Sequence, residues 1–145
     1  MLRERATNCA KLWNEVTYQR RQACLTYQTI DWKCGALYNK YSPLIDSATA
    51  QQILRKNNES WRSFFALKKM ERGGKLPSHI KKVHMPGYWK QNGKYKLMMV
   101  YRNNSYSVKN ETMRLPKKLK ASIKGNPKWN GIESGQIVVD TIDGR

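Results

Sequence analysis

The chain has 145 residues, with 28 Lys and Arg against 10 Asp and Glu, for a formal net charge of +18. No run of about 18 apolar residues exists, which excludes a membrane-spanning helix, and the charged opening MLRERATNCAKLWNEV has no apolar stretch of the kind a secretory signal needs. At 39% hydrophobic residues, with five Trp and eight Tyr, the chain can build a core and is not disordered throughout.

The first half reads as helical. Leu2, Ala6, Cys9, Leu12, Trp13, Val16, Arg20 and Ala23 recur near a 3.6-residue period and predict one helix with an apolar stripe over about 2–25. Asp31 is suited to cap a short helix, Trp32 to Tyr41, which Pro43 then closes. Asp46 or Ser47 can cap a third helix, whose stripe is Ala50, Ile53, Leu54, Asn57, Trp61, Phe64, Phe65 and Lys68. Gly73-Gly74 ends it. Three helices with short connections predict a small bundle.

The second half reads as strands. Asn92-Gly93 lies between Tyr88–Gln91 and Lys94–Tyr101, a strong hairpin signal, and Asn103-Asn104 marks a second hairpin candidate with Ser105–Lys109. Ile137-Val138-Val139 is a late strand; the turn dipeptide Asp143-Gly144 follows with no strand after it, so the sheet reads as unfinished. The expected class is α+β: a helical bundle over 1–74, then a basic, β-rich, partly open barrel-like module over 75–145.

Catalytic signals are sparse. The ten acids fall mostly on helix faces and caps, and only Asp140 and Asp143 lie close together, at a strand end and turn. Metal-assisted phosphodiester hydrolysis usually needs two or three convergent carboxylates. His79 and His84 lack Cys or carboxylate support, so no metal or cofactor is expected. Cys9, Cys24 and Cys34 are odd in number and form no CxxC, which predicts free thiols and a reducing cytoplasm.

Charge is the informative feature. Residues 75–128 hold 14 Lys and Arg and a single acid, Glu111. An excess of this size points to a polyanion, with nucleic acid preferred over a membrane surface because no basic amphipathic helix stands apart from the core. Lys81, Lys82, Lys90, Lys94, Lys96, Lys117, Lys118, Lys120, Lys124 and Lys128 are candidate phosphate contacts, and Tyr88 and Trp89 candidate stacking platforms. Each of these lysines could equally be a solvated surface cation, and each aromatic a core residue. On a regular strand Lys94 and Lys96 would share one face, opposite Tyr95 and Leu97. Trp13, Trp61, Phe64 and Phe65 fit a core better than a ligand platform. The pairs Arg20-Arg21 and Arg55-Lys56 read as solvated helix faces or as extensions of the basic surface.

The order of these motifs resembles the N-terminal region of TnpB (OrfB) proteins, transposon-encoded RNA-guided nucleases. The resemblance is carried by Ala50-Gln51-Gln52-Ile53-Leu54-Arg55-Lys56, Trp61 to Leu67, Gly74-Lys75-Leu76-Pro77, Met85-Pro86-Gly87-Tyr88, the Lys94–Tyr101 strand and Arg114-Leu115-Pro116-Lys117. Trp13-Asn14 and the Asp31 to Tyr41 segment fit as well. The resemblance implies a helical recognition lobe inserted in a wedge β-barrel, which together bind guide RNA and the guide–target duplex. It also implies that residues 137–145 are the last wedge strands and that the RuvC-like nuclease, with its zinc ribbon, lies beyond them, so no cleavage is expected here. The expected partner is RNA or an RNA–DNA duplex. The competing expectation is a basic protein that docks in the acidic channel of a nucleic-acid-processing machine such as a polymerase.

Overall fold

The structure is a computed structural model that describes residues 2–102, 107–109, 112–115, 119–122 and 134–138. Three helices lead: α1 (Leu2–Leu25), α2 (Gly35–Tyr41) and α3 (Ser47–Arg72). Seven short strands follow: β1 (Lys90–Gln91), β2 (Lys94–Tyr95), β3 (Met98–Arg102), β4 (Ser107–Lys109), β5 (Thr112–Leu115), β6 (Leu119–Ser122) and β7 (Ser134–Val138). The class is α+β.

The helix stripes become the core. Ala6, Cys9, Leu12, Trp13 and Val16 of α1 are buried against Ala50, Ile53 and Leu54 of α3, with Leu37 and Tyr41 of α2 between them. Burial pushes the Cys9 thiol up to about 12, with the Asp46 charge adding to the shift and Arg5 opposing it. Asp46 caps α3: its Oδ1 accepts from the Thr49 amide at 2.9 Å and its Oδ2 from the Thr49 hydroxyl at 2.8 Å. At the far end the Lys75 amide donates to the Met70 carbonyl and the Gly74 amide to Glu71, with Gly74 at φ 66. This is the paired-bond helix stop in which a left-handed residue suits glycine.

The second helix starts later than expected. Asp31 Oδ1 accepts from the amides of Lys33 and Cys34 at 3.0 and 3.1 Å, so its side chain closes a turn rather than capping a helix at Trp32. Cys34, at φ 50, then redirects the chain, and α2 begins at Gly35.

The Asn92-Gly93 hairpin forms as read. Both residues have positive φ, 50 and 74, the geometry of a two-residue hairpin turn, and Lys90 pairs with Tyr95. The expected continuous strand Lys94–Tyr101 is broken after Tyr95. The Lys96 amide still donates to the Trp89 carbonyl at 2.9 Å, and strand pairing resumes at Met98. Met98, Met99 and Val100 are all buried, as expected where a strand has both faces covered.

The turn of the second hairpin candidate lies outside the described residues, and the described strands on either side of it pair elsewhere. β3 pairs antiparallel with β7, Met98 opposite Val138 and Arg102 opposite Ser134, while β4 pairs with β5 and β5 with β6. The described strands form three separate sheets. Barrel closure needs two neighbours for every strand, and among the described residues only β5 has two. Val139 and the Asn103-Asn104 and Asp143-Gly144 turns lie outside the described residues.

Candidate nucleic-acid interface

The first part of the basic stretch, residues 73–89, is a connector laid along the helices. Its apolar residues face inward. Val83 is buried with Trp61 and Phe64, and Leu76, Ile80 and Met85 pack around them. Its cations Lys75, Lys81 and Lys82 face outward, as do His79 and His84.

A row of α1 side chains holds the end of this connector. The Trp13 indole N–H donates to the Gly87 carbonyl at 2.9 Å. Asn14 Oδ1 accepts from the Trp89 amide at 2.7 Å. The Arg21 guanidinium donates to the Pro86 carbonyl at 3.0 Å and lies 5.0 Å from the centre of the Tyr88 ring. Arg21 is thus a clamp rather than part of a solvated helix face.

Trp89 is not available to a base. It is 7% exposed and stacks on Trp13, with ring centres 4.5 Å apart and planes 8° from parallel. Tyr88 is 39% exposed and remains accessible. Lys90, Lys94 and Lys96 are exposed around the hairpin. Tyr95, whose alternative reading was a core residue, is exposed as well. Lys96 also acts on Lys56: partial burial lowers the Lys56 ammonium and the Lys96 charge lowers it further, outweighing Glu59.

The hairpin and the connector end border a groove along α1. Three depressions of about 510, 450 and 470 Å³ follow one another along the helix. Arg3, Glu4, Thr7, Asn8 and Lys11 line the first; Asn8 and Lys11 continue into the second, which adds Lys40, Lys90 and Tyr95; Asn14, Glu15 and Lys90 continue into the third, which adds Tyr18 and Tyr88. Glu15 is the acid in the middle. Its burial raises the carboxyl, but hydrogen bonds from Lys40 and Tyr41, and the charges of Lys40 and Lys11, outweigh this and hold it below the ordinary carboxylate range. Tyr18 and the groove itself were not evident in the sequence. The available signal was a large aromatic residue off the apolar stripe of α1.

Lys120 lies in β6. Lys117, Lys118, Lys124 and Lys128 lie outside the described residues. Among the described residues no group of three His, Cys, Asp or Glu side chains converges as a metal site. No described helix is long and apolar enough to cross a membrane.

No protein-family model matches the chain. It is similar to a TnpB-like protein, ORF457 of Acidianus two-tailed virus, with 39% identity over 137 residues. The match covers 90% of this chain but 30% of that protein, so the chain is related to a TnpB-like protein while spanning less than a third of its length.

Proposed function

We propose that the chain is a nucleic-acid-binding module of a TnpB-like, transposase-associated protein, and that it binds RNA or an RNA–DNA duplex through the phosphate backbone. In this reading residues 1–74 act as the recognition-lobe part and 75–145 as the wedge part, whose strands belong to a partly open barrel-like module. Binding rather than cleavage is the activity assigned to these residues.

One observation carries the reading. Lys75, Lys81, Lys82, Lys90, Lys94 and Lys96 are all exposed. None of them takes part in the three ion pairs among the described residues, Lys40–Glu15, Arg55–Glu59 and Lys68–Glu71. Among the described residues Lys82 also acts on Glu71, which Lys68 already pairs; cations gathered with so little counter-charge favour a polyanion and release its counterions on binding. The proposal extends the contacts to Lys117, Lys118, Lys120, Lys124 and Lys128 on charge alone.

The test is fluorescence anisotropy of nuclease-free protein with structured RNA, an RNA–DNA duplex and double-stranded DNA over a salt series. Affinity should fall steeply with salt and vary little with sequence, and the Lys81→Gln/Lys82→Gln double variant should reduce the salt slope by about two units, one per phosphate contact. Absence of binding to all three at low ionic strength overturns the reading. Retention of a protein partner after nuclease treatment, without nucleic-acid affinity, would replace it with docking on an acidic protein channel.

A further inference from the structure

We infer that the groove along α1 receives an unpaired strand of nucleic acid, with Tyr18, Tyr88 and Tyr95 as stacking platforms and Lys11 and Lys90 holding its phosphates. The inference rests on the nucleic-acid reading above and adds a site for single strands that shares Lys90 with the duplex backbone contacts.

Exposed apolar surface is the first argument. Seven large apolar side chains are exposed among the described residues: Tyr18, Leu25, Tyr27, Leu44, Met70, Tyr88 and Tyr95. Four of them, Tyr18, Leu44, Tyr88 and Tyr95, line the second and third depressions of the groove. The three tyrosines are 56%, 39% and 41% exposed, so ring surface is open to solvent in each. A concentration of this kind on a charged surface marks a binding site.

Charge chooses the occupant. Arg3, Lys11, Lys40 and Lys90 line the same groove against two acids, Glu4 and Glu15, so cations are in excess. Glu15 is already engaged, with Lys40 Nζ at 2.8 and 3.0 Å from its two oxygens and the Tyr41 hydroxyl donating to it. A groove with tyrosine faces between cations fits alternating bases and phosphates, and base–aromatic stacking tolerates any sequence. A duplex offers no such fit, because its base faces already stack on one another.

Length and order complete the argument. From Arg3 to Gln19 the helix rises about 24 Å at 1.5 Å per residue, room for about seven nucleotides at the stacked spacing of 3.4 Å. The Tyr88 ring is held in place, since Arg21 lies over it while bonded to the Pro86 carbonyl. A pre-positioned ring loses little freedom when a base arrives.

The experiment compares the 145-residue chain and three variants on two fluorescein-labelled probes, a 12-nucleotide U-rich single-stranded RNA and a 12-base-pair RNA–DNA duplex, over one shared salt series. Tyr18→Ala/Tyr95→Ala should weaken single-strand binding about 10-fold or more, given the usual worth of a stacked base, and change duplex binding less than two-fold. Tyr18→Phe/Tyr95→Phe should restore single-strand affinity, because the ring face and not the hydroxyl does the stacking. Lys90→Gln should weaken single-strand binding and flatten its salt dependence. If the alanine variant affects both probes equally or neither, or if the wild type holds the duplex but not the single strand, the groove is not a single-strand site while the broader function stands. If neither probe binds, both fail.

Discussion

Arg20 carries a full charge into the core and is met there by neutral acceptors. Its guanidinium donates to Asn57 Oδ1 at 2.7 Å, to Asn58 Oδ1, to the Asp31 carbonyl at 3.1 Å and to Cys34 Sγ at 3.3 Å. Asn57 in turn donates to the Thr17 hydroxyl at 2.9 Å. Burial pulls the guanidinium below its ordinary range, and the nearby Cys34 and Asp31 act against that shift. One side chain thus ties α1, the turn before α2, and α3 together. Arg20→Met keeps the apolar stem but leaves these buried oxygens without donors. It should destabilise the protein by about 1–3 kcal/mol, as leaving a buried acceptor unpaired does, read as a lowered midpoint in urea unfolding with an unchanged slope. Arg20→Met with Asn57→Leu removes donor and acceptor together and should recover part of the loss. The sequence placed Arg20 on the apolar stripe but also read the Arg20-Arg21 pair as a solvated face or an extension of the basic surface, and at 2% exposure Arg20 is neither. A buried arginine becomes intelligible only once residues 11 to 38 positions away are seen to converge on it.

Helix ends show the same mixture of local and distant control. At the end of α1 the Gln28 amide donates to the Ala23 carbonyl at 2.8 Å and the Tyr27 amide reaches Cys24, while Tyr27 sits at φ 56. This is the position glycine fills after α3, yet here the side chain is tyrosine, 98% exposed and adding almost no burial. Left-handed backbone costs a non-glycine residue about 1–2 kcal/mol, part of which the greater unfolded freedom of glycine gives back. Tyr27→Gly should therefore raise the thermal midpoint by about 2–4 °C in a chain of this size, measured by circular dichroism; a fall would mean that the ring supports the native turn. The α1 and α3 stripes, the Asp46 cap, the Gly74 stop and the Asn92-Gly93 hairpin were legible because each is set by residues within a few positions. The start of α2 was misread because Asp31 serves a turn first. The partner of β3 was misread because a local asparagine turn signal cannot reveal a strand more than 30 residues further on. Trp89 was misread for the same reason: a tryptophan in a basic run looks like a platform until its partner, Trp13, folds against it.

The whole molecule carries +18 with few internal counter-charges. Several of its ten acids are committed locally: Asp46 caps α3, Asp31 closes a turn, and Glu15, Glu59 and Glu71 each pair with one cation. The lysines from 75 to 96 are left to repel one another and the rest of the positive surface. Screening shortens the reach of that repulsion from about 30 Å at 0.01 M salt to about 10 Å at 0.1 M. The folded state, which holds the charges closer together than the unfolded chain does, should gain from salt, so the thermal midpoint should rise between 10 and 200 mM NaCl. The same cations should lose affinity over that range. If Lys81, Lys82, Lys90, Lys94 and Lys96 each neutralise one phosphate, duplex affinity should fall about 10²–10³-fold between 50 and 200 mM salt. Opposite salt trends for stability and binding are the signature of a surface whose counter-charge is supplied by its ligand. At low salt, saturating RNA should raise the midpoint by more than NaCl alone, because a ligand that binds only the folded state adds its binding free energy to stability. A midpoint that falls with salt would mean that internal pairing already balances the charge, and would remove the physical reason for assigning this surface to a polyphosphate.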